Sequence, residues 1–146
     1  MVDASLVATR GQGPRYSIGT TTFEVRVASD QLGGAFGVLE FSGAEGPWTV
    51  PHVHRNGRES FYVLDGEFEF RLGEQMVAAR AGDFVTVAPN TVHMIRAGAG
   101  GGRLLALVPG QLEAMFIEMS QLGPEALTDP AVRAGLAERH DSVPAT

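Results

Sequence analysis

Hydrophobic and polar residues alternate in short runs between positions 21 and 108. Typical runs are TTFEVRVAS (21–29), AFGVLEF (35–41) and EFEFRL (67–72), and Gly, Asn or Asp residues separate them from their neighbours. Alternation places successive side chains on opposite faces of a strand, so these runs predict β-strands. Many short strands with turn residues between them predict an all-β sandwich or barrel.

Two glycine-containing segments inside this region predict breaks between strands. Asp65-Gly66 lies between two apolar runs. It predicts a two-residue hairpin, because both residues tolerate the positive φ that a type I′ turn requires. AGAGGG (97–102) predicts a flexible loop and carries no phosphate-binding motif, because no helix follows it.

The pattern becomes helical after residue 110. QLEAMFIEMSQL (111–122) has apolar residues at spacings of three and four, and Asp129-Pro130 resembles a helix N-cap followed by the first helical residue. We therefore expect one domain over residues 1–146, with a β-core at about 16–108 and two short α-helices at about 111–140. The last few residues are expected to fray.

Charge and composition exclude several classes of function. The net charge is −6 without a basic run, which argues against a nucleic-acid surface or an anionic membrane as partner. Without a cysteine, the chain cannot form a thiolate site, and all 11 basic residues are arginine, which excludes a lysine Schiff base. No apolar segment is long enough to span a bilayer and no signal peptide is visible, so we expect a cytoplasmic protein.

The main chemical signal is the segment HVHRNGRESFYVLDG (52–66). His52 and His54 are two residues apart on a predicted strand, so their side chains point to the same side. Glu59 begins the next run, and His93 begins a later one. Three imidazoles and one carboxylate are good ligands for a divalent first-row metal, and an octahedral ion would keep two positions open.

Two segments around these residues resemble the conserved motifs of the cupin superfamily. GPWTVPHVHRNGRESFYVLDG (46–66) has the first motif's spacing: glycine, five residues, His-x-His, four residues, glutamate, six residues, glycine. GDFVTVAPNTVH (82–93) resembles the second motif. Its proline stands one place late at Pro89, Asn90 replaces the usual glycine, and Ala97 stands where an asparagine is frequent.

The cupin resemblance implies a double-stranded β-helix, a small β-barrel or jelly roll, with a metal inside. It implies that His52, His54, Glu59 and His93 bind one divalent transition-metal ion, which could be Fe, Ni, Mn, Co, Cu or Zn. His140 ends a polar helix, where a cation suits the helix dipole, and we do not expect it to be a ligand.

Within the superfamily, the chain is similar to single-domain quercetin 2,3-dioxygenase-like cupins and to small actinomycete polyketide-pathway cupins, including cyclases. ESFYVLDGEFEFRLG (59–73) and PGQLEAMF (109–116) carry this similarity. It implies a dioxygenase that acts with O2 on a small aromatic or enolic substrate, with Glu59 as the catalytic base. A non-oxidative isomerase or polyketide cyclase, and a small-molecule-binding cupin without catalysis, remain alternatives, and the family habit suggests a homodimer.

A central metal in such a fold needs apolar walls for its substrate pocket. Phe61 shares strand parity with Glu59, and Trp48 and Val50 share that of the histidines if the strand runs unbroken through Pro51, so we expect these three in this pocket, followed by Phe36. Met115 and Phe116 are expected to close one mouth of the barrel from the helix. Tyr62 has the opposite parity from Glu59 and is expected to point outward or to lie at an interface.

Overall fold

The computed structural model describes residues 5–146, so the part of the single-domain prediction that covers residues 1–4 lies outside the described residues. The strands are β1 (Arg15–Ile18), β2 (Thr21–Val27), β3 (Phe36–Gly43), β4 (Gly46–Pro47), β5 (His52–Val53), β6 (Glu59–Leu72), β7 (Gln75–Arg80), β8 (Phe84–Val87), β9 (His93–Pro109) and β10 (Val143–Pro144). The helices are α1 (Glu113–Ser120), α2 (Pro124–Thr128) and α3 (Pro130–Arg139), and a 3-10 turn spans Ser29–Leu32.

The long strands β6 and β9 organise the whole molecule. They pair antiparallel along their length, and each runs through both halves of the hydrogen-bonded network. In the first half, the 59–66 segment of β6 and the 102–109 segment of β9 lie beside β1, β2, β3 and β8. In the second half, the 67–72 segment of β6 and the 93–97 segment of β9 lie beside β4, β5, β7 and β10. The described strands thus form a jelly-roll sandwich, and the network does not close into a ring.

The two halves fold over each other and enclose the core. Phe61 and Phe70 lie on the same strand, nine residues apart, and a straight strand would separate them by about 30 Å. Their ring centroids are 5.3 Å apart, because β6 bends between them. Phe23, Leu39, Phe68, Phe70 and Leu104 are fully buried in the space between the halves.

The strands bend, and do not end, at the two segments where the sequence predicts breaks, Asp65-Gly66 and AGAGGG (97–102). Both segments lie inside continuous strands, and the register of β6 against β9 shifts on either side of Gly66. Gly66 has φ +84°, and a Cβ there would lie 2.4 Å from the carbonyl oxygen of Gly101. Both predictions are wrong: the glycines form the corner at which two paired strands pass from one half to the other.

The C-terminal region differs from prediction in two respects. It contains three helices, because Pro124 starts α2 in addition to ending the preceding helix. The predicted N-cap is confirmed, since the Asp129 carboxylate accepts a hydrogen bond from the amide of Ala131 at 2.8 Å. The tail does not fray at its strand β10, which pairs with β5.

No helix in residues 5–146 is long and apolar enough to cross a membrane.

Candidate metal centre

Strands β5, β6 and β9 bring the four predicted ligands together. His52 begins β5 and pairs directly with His93, the first residue of β9, while His54 follows β5 and Glu59 begins β6. One donor atom from each residue lies within 4.8 Å of the other three. His54, Glu59 and His93 are buried, and His52 is half-buried.

A backbone carbonyl group orients each imidazole. The Nδ1 atoms of His52, His54 and His93 donate to the carbonyl oxygens of Val50 at 2.7 Å, Asp141 at 2.6 Å and Thr91 at 2.9 Å. A carbonyl oxygen only accepts, so each Nδ1 carries the proton and a neutral ring keeps its lone pair on Nε2. This outer hydrogen bond is the usual support of metal-binding histidines.

The distances between the donor atoms fit a divalent metal ion. Glu59 Oε1 lies 3.3 Å from Nε2 of His54 and 3.1 Å from Nε2 of His93. Ligands at right angles around an ion, with bonds of about 2.1 Å, are about 3.0 Å apart. In neutral rings these Nε2 atoms and the carboxylate are all acceptors, so a shared cation satisfies them. His54 Nε2 is accordingly buried without a hydrogen-bond partner in the described structure.

The local electrostatics keep His52 neutral and Glu59 ionised. Burial and the neighbouring His93 lower the pKa of His52 to about 4, so this ring is neutral at pH 7. Burial alone would raise the pKa of Glu59, but the adjacent imidazoles of His54 and His93 outweigh it and lower the pKa to about 2. Burial alone would lower the pKa of His54, but the Glu59 carboxylate outweighs it and raises that pKa.

The cluster opens onto an apolar cavity of about 340 Å³. Both His52 and Glu59 line it. Five of the predicted pocket residues lie on its wall: Trp48, Val50, Phe61, Met115 and Phe116. Phe36 does not line this cavity and is 40% exposed, because Leu39 and Phe41 take the inward parity of β3.

Residues 40–108 match the protein family described as Cupin domain. The chain carries a cupin domain. Quercetin 2,3-dioxygenase of Bacillus subtilis (strain 168) is 32% identical over 107 residues, which make up 73% of this chain and 32% of that protein. The chain thus matches about a third of the length of this relative.

Two solved structures share the fold. The polyketide cyclase RemF from Streptomyces resistomycificus superposes with a TM-score of 0.62 at 20% identity, covering 73% of this chain and 80% of that one. KdgF from Halomonas sp. superposes with a TM-score of 0.64 at 16% identity, covering 73% and 96%. The jelly roll is therefore the cupin fold, as the motifs predicted.

The matched cupin region supplies all four donors, but the C-terminal segment completes their surroundings. Asp141 provides the carbonyl oxygen that holds His54, and its carboxylate accepts from the amides of Arg55 at 2.8 Å and Asn56 at 2.7 Å. Ser142 and Pro144 line the cavity. Sequence reasoning missed these residues, because a role carried by a backbone carbonyl leaves no pattern of side chains.

Three further residues lie outside the cluster of four predicted ligands. His140 Nε2 donates to a carboxylate oxygen of Glu118 at 3.1 Å, and His140 is not part of the metal-ligand cluster. Tyr62 is 40% exposed, so its predicted outward orientation is confirmed. Arg133 of α3 was not predicted, and it lines the cavity of this cupin.

Proposed function

We propose that this chain is a metal-dependent cupin enzyme, a dioxygenase that acts with O2 on a small aromatic or enolic substrate. The observation that carries the proposal is the cluster of three histidines and one glutamate at the wall of an apolar cavity. An apolar cavity with a few convergent polar groups is the usual form of a small-molecule site. The relatedness to a quercetin 2,3-dioxygenase supports flavonols as the first substrates to test.

In this proposal His52, His54, Glu59 and His93 hold one divalent ion of Fe, Ni, Mn, Co, Cu or Zn. When bound, such an ion lowers the pKa of a coordinated hydroxyl group and can polarise a carbonyl group. Since the backbone carbonyls hold the Nδ1 protons of the imidazoles, these rings serve as donors and not as acids.

Glu59 is the proposed catalytic base. It is ionised at pH 7 and lines the cavity beside His52. Its lowered pKa makes it a weak base, so it would accept only a proton already acidified by the site. The aromatic walls, including Trp48 and Phe61, would exclude water and pack on a planar substrate.

The first experiment measures the metal content of protein purified without chelators or a histidine tag, by elemental mass spectrometry. Near-stoichiometric Fe, Ni, Mn, Co or Cu, together with oxygen uptake on quercetin, would support the dioxygenase. His52→Ala is expected to lose most of the metal. His140→Ala is the matched control, because it removes a histidine outside the cluster and should retain the metal. Full metal content in His52→Ala would refute the site.

A second candidate is a non-oxidative isomerase or polyketide cyclase. It is favoured by the position of Glu59, since a carboxylate beside the cavity can move a proton without any oxidant. Zinc as the bound metal and equal turnover with and without oxygen would support this candidate. Tight binding of small aromatic molecules without turnover would instead indicate a binding module.

A further inference from the structure

Helix α3 brings a cation to an otherwise apolar part of the cavity wall. Arg133 is half-buried and lines the same cavity as His52 and Glu59. The helical wall around it consists mainly of apolar side chains, among them Met119, Leu127 and Leu136.

The guanidinium group of Arg133 has no carboxylate within 4.0 Å in residues 5–146. Arg139, six residues further along α3, shows the contrast because it pairs with Glu118. Arg26 also has an acidic partner, Glu40 at 2.8 Å, whereas Arg80, which has none in the described chain, is exposed to solvent and lies outside this cavity. A cation held against apolar surface without a partner is unfavourable, so a ligand anion would stabilise it.

The charge distribution of the cavity narrows the type of ligand. The chain carries a net charge of −6, so most of the protein disfavours an anion. Arg133 is the one arginine on the cavity wall within the described residues, and the sequence contains no lysine. Its planar fork matches a carboxylate, which it can bind through two parallel hydrogen bonds.

We propose that Arg133 is a specificity-determining residue that binds a carboxylate group of an aromatic substrate whose hydroxyl or enol group faces the metal cluster. Only the placement of the hydroxyl or enol group at the metal cluster rests on the proposed function. The role of Arg133 assigns to α3, which lies outside residues 40–108, the choice among substrates that share the same reacting group.

The test compares two probes that differ in one charge: 6-hydroxy-2-naphthoic acid and its methyl ester. Their dissociation constants are measured by isothermal titration calorimetry on the protein both with and without added metal. Quenching of Trp48, the single tryptophan, reports entry into the cavity that it lines. The wild-type protein should bind the acid about tenfold more tightly than the ester, as expected for one charge-assisted pair.

Arg133→Gln should remove this preference and leave the affinity for the ester within about twofold. Arg133→Lys should keep part of the preference, because it retains the charge but not the fork. Arg80→Gln is the matched control: it makes the same charge change at an exposed arginine outside the cavity and should keep the full preference. Thermal denaturation of each variant checks that it is folded.

Equal binding of the two probes by the wild-type protein, or an unchanged preference in Arg133→Gln, would overturn the inference. The proposed function is tested separately by the metal content and oxygen uptake of the wild-type protein. A wild-type protein with the acid preference but without metal or turnover would refute the proposed function and leave the role of Arg133 standing.

Discussion

The C-terminal tail should control how tightly the cupin centre holds its metal, and Asp141→Ala tests this. The Asp141 carboxylate binds the amides of Arg55 and Asn56, directly after His54. These two bonds fix the tail where the Asp141 carbonyl oxygen accepts from Nδ1 of His54 at 2.6 Å. The substitution removes the carboxylate but leaves the carbonyl group in the chain, so it tests positioning.

The expected magnitude follows from these contacts. Buried hydrogen bonds to a charged group contribute about 1.5–3 kcal/mol each, and the two bonds of Asp141 are exposed, so their joint loss should cost about 1–2 kcal/mol. For a domain of this size that corresponds to a Tm lower by roughly 3–6 °C. Loosening the outer support of one histidine should weaken metal binding by about tenfold.

Thermal denaturation of the metal-free protein measures the first effect, and zinc competition against a chromophoric chelator measures the second. Asp30→Ala is a suitable control, because it removes an exposed aspartate from the 3-10 turn and should leave zinc affinity unchanged. A variant with a lowered Tm but zinc affinity within twofold of wild type would show that the tail is only structural. That result would refute its role in orienting His54.

Three further predictions concern the rest of the fold. Gly66→Ala should destabilise the protein by about 3 kcal/mol in urea denaturation, because residue 66 has a positive φ and the new Cβ would lie 2.4 Å from a β9 carbonyl oxygen. Gly82→Ala is the control: residue 82 also has a positive φ, but its Cβ would meet open space, so this substitution should cost only about 1 kcal/mol. Burial alone would raise the pKa of Glu24, but two backbone amides and neighbouring arginines outweigh it and lower the pKa below 4.5. The ionised Glu24 therefore stabilises the fold above pH 4.5, and this stabilisation disappears as the pH falls through the lower pKa of the folded state. The Tm difference between wild type and Glu24→Gln should shrink on acidification, and a constant difference would contradict this. The homodimer stays a prediction, and its proposed interface contains Tyr62 and the 58% exposed Phe84, which pair across β6 and β8. Light scattering should give a molecular mass of twice 15.5 kDa for the wild type and the monomer mass for Phe84→Glu, whereas a monomeric wild type would refute the prediction.

Much of the metal centre could be predicted because it depends on strand parity and on residue type. His52 and His54 face the same side at a spacing of two, and only imidazole or carboxylate donors were available in a chain without cysteine. The placement of Phe61 on the cavity wall follows from the same parity along β6, whereas Trp48 reaches this wall from the segment between β4 and β5, which is not a strand. The expectation for Phe36 extended this reasoning beyond the ligand strands, and the inward parity of β3 belongs to Leu39 and Phe41.

Local pattern could not distinguish a hairpin from a corner. Asp65-Gly66 permits positive φ, which a two-residue turn and a bulge both require. Pairing with β9 on the far side of the glycines makes β6 continue, and this pairing joins residues 21 to 29 positions apart in the chain. The hydrogen bonds of the opposite strand therefore selected between two conformations that the local residues allow equally.

The order of apolar, polar and turn residues already specifies the strands, the helical C-terminal region and the identity of the four donors, because these depend on short-range periodicity and on side-chain chemistry. Long-range packing is responsible for the bend of β6 and β9, the cavity, and the meeting of His54 with the carbonyl group of Asp141, 87 positions away. It also places Arg133 beside the cavity that His52 and Glu59 line. Such contacts arise when distant segments bury their apolar faces together, and no local pattern encodes which backbone group will then lie beside which side chain.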